Sequence, residues 1–230
     1  MLADKQGRLL TSYVSDYVVF DLETTGISCG TDDIVEISAI SVKDSIPVDE
    51  FSTLVNPLRP IPYYASRVNG ITDEMVADSP VFEDVLPKFL EFIKDSVLVG
   101  HNIHAFDLKF LYRYCKRFYG RTLGNDYIDT LILSRTYLPD IRHHSLTDIA
   151  LHYDIDTYGA HRALNDCAMN QKIYEKLKLE SKNTQGLSVS LKLCPRCGNI
   201  LKKRNGKFGA FLGCTSYPDC RYTENFLIEL

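Results

Sequence analysis

The sequence has 230 residues, of which 45% are hydrophobic and 24% charged, and its net charge is -4. This length fits one medium domain and a small one, and the composition is that of a globular protein rather than a disordered or fibrous chain. No apolar run approaches the roughly 20 residues of a membrane helix, and the first residues lack the apolar stretch of a signal peptide. We therefore expect no membrane partner and a cytoplasmic location.

The charge is distributed unevenly along the chain. From Leu187 onward there are seven Lys/Arg and three Asp/Glu, whereas the residues before it hold 19 Lys/Arg and 27 Asp/Glu. A basic C-terminal segment suits contact with a polyanion, and an acidic body can supply carboxylates to metal ions. The simpler alternative is two solvated surfaces of opposite sign.

The first predicted elements are strands. Residues 1–12 carry no clear pattern and are expected to form a loose tail. β-branched and aromatic runs predict strands at Tyr17–Phe20, Ile34–Val42 and Phe51–Val55, with a turn at Ser45–Pro47 before the third. This arrangement predicts an antiparallel meander.

Helices predominate after the third strand. Helical spacing of apolar residues and a capping serine, Ser145, predict helices separated by short turns. They are Val81–Ile93, Leu108–Phe118, Thr130–Tyr137, Leu146–His152 and Ala163–Leu179, with a short buried strand at Val97–Gly100. Strands followed by alternating helices and strands predict an α/β domain at 13–180, in which helices pack on a mixed sheet. Small polar residues predict a linker at 181–190, followed by a compact, turn-rich domain at 191–230.

Acidic side chains recur at the ends of predicted elements. Asp21 and Glu23 lie two residues apart at the end of the first strand, so both face the same side, and such oxygen ligands suit Mg²⁺ or Mn²⁺. Asp107 can cap the helix that follows it while its carboxylate points into the same cleft. His161 precedes the last helix, and Asp166 follows just over one turn later. Taken singly, each residue is more simply a solvated carboxylate, a helix cap or an ordinary imidazole.

Together these residues resemble the motifs of the DEDDh family of 3′→5′ exonucleases, which includes the epsilon subunit of DNA polymerase III. The resemblance covers about residues 15–179. The first motif is matched by Phe20–Gly26, the second by His101–Asn102 with Phe106–Asp107, and the third by His161–Ala163 with Asp166. Three residues, including His104, separate Asn102 from Phe106 where the family usually has two, and we expect the loop to absorb the extra residue.

The resemblance implies an RNase H-like fold and a two-metal mechanism that releases 5′-nucleotides without a covalent intermediate. Four carboxylates would hold two Mg²⁺ or Mn²⁺ ions, a histidine would act as general base, and the loop residues would contact the terminal nucleotide. The implied metal ligands are Asp21, Glu23, Asp107 and Asp166, the implied base is His161, and the implied substrate contacts are Thr24, Thr25, Gly26 and Asn102. A plain turn after the strand is the alternative for the first three contacts.

Four of the seven cysteines fall in the last 40 residues with the spacing Cys-x₂-Cys-x₁₆-Cys-x₅-Cys. They are Cys194, Cys197, Cys214 and Cys220. Four thiolates match the closed ligand set of one structural Zn²⁺ ion, which would stabilise a unit too small to rely on its own core. The segment therefore predicts a small zinc-ribbon-like domain.

The sequence around these cysteines resembles the C-terminal zinc finger of bacterial type IA topoisomerases, a module that binds single-stranded DNA. The resemblance implies nucleic-acid contacts from Lys207, Phe208 and Tyr217, whereas Phe211 is the first candidate for the small core. Docking to a protein is the alternative role of the domain.

The combined prediction is a 3′→5′ exonuclease whose zinc finger grips single-stranded DNA and brings the protein to the nucleoid. A DNA polymerase or a repair complex is its expected partner. An exoribonuclease that trims RNA and a non-catalytic nucleic-acid-binding scaffold are the alternatives.

Overall fold

The computed structural model describes residues 2–183, 192, 194–196, 201–207, 209–214, 217 and 220–225. Contacts divide the chain into two compact units, Met1–Thr184 and Gln185–Leu230. The strands are β1 (Leu2–Ala3), β2 (Tyr17–Thr24), β3 (Ile34–Lys43), β4 (Ile46–Leu54), β5 (Val97–Gly100), β6 (Thr122–Leu123), β7 (Tyr127–Asp129), β8 (Leu201–Gly206), β9 (Gly209–Cys214) and β10 (Thr223–Asn225). The helices are α1 (Tyr63–Asn69), α2 (Asp73–Val76), α3 (Phe82–Ile93), α4 (Asp107–Tyr119), α5 (Thr130–Tyr137), α6 (Leu146–His152) and α7 (Ala163–Asn183).

The main sheet of the first unit has five strands in the order β4-β3-β2-β5-β7. β2 pairs antiparallel with β3 and parallel with β5, and β5 pairs parallel with β7. The predicted antiparallel meander is confirmed for β2, β3 and β4, and the predicted mixed sheet is confirmed as a whole.

Alternate residues of β2 point into two cores on opposite faces of the sheet. Val18 and Phe20 belong to the core that includes α3 and α4. Tyr17 and Val19 belong to the core that includes α5, α6 and α7. Because side chains along a strand alternate between faces, the odd-numbered residues further along β2 face α7.

The predicted helices agree with the structure to within a few residues. α5 and α6 have the predicted bounds, and α6 begins with a capping box in which the Ser145 hydroxyl accepts the N–H of Asp148 at 3.1 Å. α7 extends to Asn183, so the first three residues of the predicted linker are helical. Residues 184–190 of that linker lie outside the described residues.

The strand β4 begins five residues before its predicted start at Phe51. The segment Ser45–Pro47, which we expected to be a turn, is mostly strand, and the turn consists of Asp44 and Ser45 at φ values of 50° and 66°. Two residues at positive φ give the tight turn that matches the twist of paired strands. The first half of β4 does not follow the usual alternation of buried apolar and exposed polar residues, because its apolar Ile46 and Val48 face solvent and are 63% and 57% exposed.

The helices α1 and α2 have no counterpart in the sequence prediction. They are seven and four residues long, which is too short for a period of 3.6 to become visible. The exposed side of α1 also carries Tyr63, Tyr64 and Val68, each more than 60% exposed. Apolar residues on the solvent side obscure the pattern that marks an amphipathic helix.

The N-terminal segment packs on the first unit and is not the loose tail that we expected. β1 pairs antiparallel with β6, and Leu9 forms a parallel bridge with Tyr127 of β7. Arg8 also forms an ion pair with Asp126 at 2.8 Å. Isolated apolar residues such as Leu2 and Leu9 contact the core without any regular spacing, so the sequence pattern gives no signal.

The second unit contains a three-stranded antiparallel sheet in the order β10-β9-β8. Among the residues described in this unit, Leu201 forms a small core with Cys194, Cys214 and Cys220, and Leu212 and Tyr222 pack against them. Phe211, our first candidate for this core, is half-buried and lies outside that cluster.

Candidate active site and zinc site

Asp21 and Glu23 lie near the end of β2 on the face that α7 covers. Asp166, in the first turn of α7, lies next to them, and the three residues have carboxylate oxygens within 4.8 Å of one another. The following residue, Cys167, is fully buried, and its thiol donates to the carbonyl oxygen of Ser38 in β3 at 3.4 Å. The start of α7 is therefore packed directly on the sheet beside the two strand carboxylates.

A fourth carboxylate comes from the other side of the sheet. Asp107 is the first residue of α4 and is only 3% exposed. Its Oδ1 atom accepts the N–H of Leu22, the residue between Asp21 and Glu23, at 3.2 Å. Phe106 occupies the N-cap position without a capping side-chain bond. The expected cap by Asp107 is therefore not formed, and its carboxylate contacts β2.

The crowding of these carboxylates changes their protonation. Burial, followed by the proximity of Asp107, raises the pKa of Asp21 well above its usual range. Burial and the nearby Asp166 raise the pKa of Glu23 to about 8, and burial raises the pKa of Asp166 to about 6. Burial also raises the pKa of Asp107. Because like charges at such distances favour protonation unless a cation neutralises them, this donor set fits hard divalent ions such as Mg²⁺ and Mn²⁺.

His161 lies on the surface immediately before α7. Its backbone N–H donates to the Asp166 carboxylate at 3.1 Å, and its φ is 67°. Positive φ is uncommon for a residue with a side chain and persists only when surrounding contacts hold it. The structure thus brings the predicted base next to the predicted metal ligands in a constrained conformation.

The two hydroxyls predicted to bind substrate, at the end of β2 and in the turn after it, form hydrogen bonds within the protein. The Thr24 hydroxyl donates to the Gly26 carbonyl oxygen at 2.7 Å, and the Thr25 hydroxyl accepts from Arg59 at 2.9 Å. A Cβ atom on Gly26 would lie 2.5 Å from a carboxylate oxygen of Asp32, so a larger residue here would displace the Asp32 side chain. The nucleotide contacts expected from the three residues stay a prediction.

The extra residue of the second motif is absorbed in a tight turn. Asn102 has a φ of 60°, and its carbonyl oxygen accepts the N–H of Phe106 at 3.1 Å. Its own N–H donates to Asp129 at 3.0 Å. The ring of His104 stacks on Tyr127 with centroids 5.4 Å apart, which agrees with its interpretation as a loop residue. The substrate contact expected from Asn102 is not tested by this geometry.

Two polar residues near the site are absent from the sequence prediction. The Asn69 amide, at the end of α1, donates to the Thr24 carbonyl oxygen at 3.4 Å. Burial and the nearby carboxylates raise the pKa of Glu23, and a hydrogen bond from Asn69 partly offsets that rise. Asp129 is 2% exposed and holds the turn at Asn102. Neither residue belongs to the three motifs that match the exonuclease family.

A second missed pair lies beneath α7. Glu36 is a charged residue inside the apolar strand β3, and its carboxylate accepts two bonds from the Arg162 guanidinium. A charge flanked by buried Val35 and Ile37 is the signal that could have identified it, because such charges are rarely buried without a partner.

The second unit brings three of the four predicted zinc ligands together. Cys194, Cys214 and Cys220 place their sulfur atoms within 4.8 Å of one another, and the sulfurs of Cys194 and Cys220 are 3.7 Å apart. Thiolates about 2.3 Å from one tetrahedral ion are separated by about 3.8 Å, so this spacing fits zinc. Cys197, the fourth predicted ligand, lies outside the described residues.

The predicted nucleic-acid contacts of this unit are partly described. Lys207 is exposed, and Tyr217 is 62% exposed, whereas Phe208 lies outside the described residues. Tyr217 also lines a surface cavity of about 240 Å³ together with Phe211 and Tyr222.

Comparison with protein families supports the resemblances seen in the motifs. Residues 18–174 match the family model described as Exonuclease. The chain belongs to this exonuclease family. Residues 192–227 match the model described as Topoisomerase DNA binding C4 zinc finger. Both recognised families are therefore confirmed.

Individual relatives and a solved structure also support membership of the exonuclease family. The chain is 37% identical to the DNA polymerase III subunit epsilon of Aquifex aeolicus over 70% of this chain and 79% of that protein. It is 40% identical to the PolC-type DNA polymerase III of Caldanaerobacter subterraneus over 74% of this chain, but it spans only 12% of that polymerase. The structure of Exonuclease X in complex with 5′ overhanging duplex DNA is 30% identical, with a TM-score of 0.57 over 75% of this chain and 94% of that one. This likeness confirms the predicted RNase H-like α/β fold. Among the described residues, no helix combines the length and apolar character needed to cross a membrane.

Proposed function

We propose that this chain is a metal-dependent 3′→5′ exonuclease that acts on single-stranded DNA and releases 5′-nucleotides. The observation that carries this proposal is the convergence of Asp21, Glu23 and Asp166 within 4.8 Å in a chain of the exonuclease family. Asp107 completes the set from the opposite core through its bond to Leu22.

The four carboxylates would hold two Mg²⁺ or Mn²⁺ ions. Such ions activate the attacking water and stabilise the negative charge that develops on the departing 3′-oxygen. The ligands belong to β2, α4 and α7, so packed elements rather than a flexible loop fix their positions. Placing several carboxylates around one phosphate would be repulsive without cations, which makes the reaction dependent on metal.

His161 would take the proton from the attacking water. Its exposed side chain can meet a solvent molecule, and its backbone bond to Asp166 keeps it beside the metal ligands. A positioned general base contributes about 10²–10⁴-fold to the rate. We therefore expect His161→Ala to lower kcat by a factor in this range while DNA binding is retained.

DNA is favoured over RNA as the substrate by the relatives. The matched zinc-finger family is described as DNA binding, and the structure of Exonuclease X contains duplex DNA. The similar subunit epsilon and PolC-type proteins are DNA polymerase III proteins, so we place this exonuclease in DNA replication or repair, beside a polymerase or repair complex. Exoribonuclease activity is the alternative outcome.

The second unit would bind one Zn²⁺ ion and grip the single strand. Its cavity of about 240 Å³ is lined by Phe211, Tyr217 and Tyr222 together with Arg204 and Arg221. Aromatic rings that stack on bases and cations that meet phosphates are the features of sequence-tolerant single-strand binding. We expect Tyr217→Ala to weaken binding and to leave kcat unchanged at saturating DNA.

The test is release of nucleotides from a 3′-labelled single-stranded DNA and from an RNA of the same sequence. The intact chain is assayed with Mg²⁺, with Mn²⁺ and with chelator. Asp21→Asn removes one charge from the site, and Asp49→Asn, on the exposed strand β4, is the matched control.

Metal-dependent release of 5′-nucleotides from DNA, abolished in Asp21→Asn and retained in Asp49→Asn, is the expected result. Preference for RNA would keep the mechanism and replace the substrate. Tight DNA binding without release in any metal would make the chain a non-catalytic scaffold and would overturn the proposal.

A further inference from the structure

A buried carboxylate lies beneath the start of α7. Glu36 in β3 is paired directly opposite Glu23 of β2 and is 3% exposed. Residues directly opposite each other in an antiparallel pair project from the same face of the sheet. Glu36 therefore lies on the face that carries Glu23, under the helix that carries Asp166.

This one carboxylate holds two consecutive residues at the start of α7. Arg162 donates from Nη2 to Oε1 at 2.8 Å and from Nε to Oε2 at 3.2 Å. The N–H of Ala163, the first residue of α7, donates to Oε2 at 3.1 Å. A two-point contact between guanidinium and carboxylate fixes orientation as well as distance. The peptide between Arg162 and Ala163 is consequently fixed relative to β3.

His161 is the residue next to this fixed peptide, and its backbone is strained. Its φ of 67° lies in the left-handed region, which a residue with a side chain keeps only when its surroundings determine it. The bond from the His161 N–H to Asp166 provides one constraint, and the fixed position of Arg162 provides the other. Without the second constraint, φ of His161 can relax and carry the imidazole away from the site.

We propose that Glu36 and Arg162 are positioning residues that hold His161 in its strained, reactive conformation without touching the substrate. This inference rests on the proposed function, in which His161 is the general base. A pair that served stability alone would change the fraction of folded protein. A positioning pair changes kcat, and it does so only while His161 is present.

The test is a double-mutant cycle on kcat and KM with single-stranded DNA. Wild type, Arg162→Ala, His161→Ala and the double variant are compared. A misplacement of about 1 Å costs roughly 100-fold in rate, so we expect Arg162→Ala to lower kcat by roughly that factor and to change KM by less than about 3-fold. In the His161→Ala background, the same substitution should lower kcat by less than about 3-fold, because no base is left to misplace.

A second variant separates positioning from folding. Arg162→Ala leaves Glu36 buried without its partner, whereas Arg162→Lys keeps the charge and loses the two-point contact. We expect Arg162→Lys to unfold at the wild-type temperature and to lower kcat by roughly 10-fold. Arg8→Ala breaks the exposed pair with Asp126, is the matched control, and should keep the wild-type kcat.

The outcomes distinguish the inference from the function on which it rests. Equal losses of kcat with and without His161, a wild-type kcat in folded Arg162→Lys, or unfolding of both Arg162 variants would overturn the positioning role. A wild-type kcat in His161→Ala would overturn the proposed base instead. No nucleotide release by the wild type would overturn the proposed function itself.

Discussion

Without divalent metal, the first unit should lose stability as the pH rises from about 6 to about 8. The pKa of Glu23 is about 8 in the folded chain, compared with an ordinary value of 4.5, and the pKa of Asp21 is also raised. A carboxylate whose pKa is raised on folding contributes stability that is fully present below its unfolded pKa. That contribution is lost as the pH rises through the folded value, because the unfolded chain has already released the proton.

The size of the effect follows from the number of retained protons. While the folded chain keeps a proton on Glu23 that the unfolded chain has released, each unit of rising pH lowers the free energy of unfolding by about 1.4 kcal/mol. Over two units the loss is roughly 2–3 kcal/mol, which corresponds to roughly 4–12 °C in Tm for a domain of this size. Divalent ions replace the protons, so Mn²⁺ should flatten the pH dependence and raise Tm more at the higher pH.

The assay is thermal unfolding at several pH values after dialysis into metal-free buffer, with and without added Mn²⁺. Glu23→Gln removes one titrating carboxylate and should reduce the slope. Glu50→Gln, at an exposed position of β4, is the matched control and should leave the slope unchanged. A metal-free Tm that stays constant or rises between about pH 6 and pH 8 would refute the reasoning. Such a result would mean that the carboxylates of the site are already ionised together in the folded chain without a cation.

Three further predictions concern the surroundings of the two sites. Cys220→Ser should abolish zinc binding, measured as bound zinc per chain, and unfold the second unit while the first keeps its unfolding transition; retained stoichiometric zinc would contradict the assigned ligand set. Gly26→Ala should lower Tm and kcat/KM, because its Cβ would displace the Asp32 carboxylate at a cost of about 1–3 kcal/mol; wild-type values for both would show that the turn adapts. Asn69→Ala removes a hydrogen bond that partly offsets the raised pKa of Glu23, so protons should compete more strongly with Mn²⁺. Calorimetry should show weaker Mn²⁺ binding, with a larger loss at pH 6.5 than at pH 8.5. An equal loss of affinity at both pH values would contradict competition by the Glu23 proton.

The sequence predicts the elements whose apolar residues keep one period over several turns or strand positions. α3 has buried residues at Phe82, Leu86 and Ile93 among others, and β2 opens with four consecutive buried residues, so both were predicted. α1 and the first half of β4 were missed because exposed apolar side chains such as Tyr63 and Ile46 break the period. Both segments take their structure from contacts with other parts of the fold, which the local apolar pattern does not reveal.

The candidate metal ligands could be predicted because they belong to family motifs, whereas the residues that hold their elements in place could not. Asp21 and Asp166 stand in segments that match a family pattern residue by residue. The role of Glu36 depends on a partner, Arg162, that lies 126 residues further along the chain. The apolar residues around Glu36 indicate a buried charge, but they identify neither its partner nor its register opposite Glu23.

The topology explains why the first two motifs meet and why the third needs an additional anchor. β2 and β5 are parallel, and Val19 is in register with Val99, so the segments that follow both strands emerge at the same edge of the sheet. The carboxylates on β2 and Asp107 are thus brought close together, and the bond from the Leu22 N–H to Asp107 holds them in contact. α7 has no such pairing with β2, because the backbone groups of a helix bond within the helix. The bonds that Arg162 and Ala163 donate to Glu36 fix the start of α7 to β3, which gives the buried charge inside an apolar strand a role in placing the site.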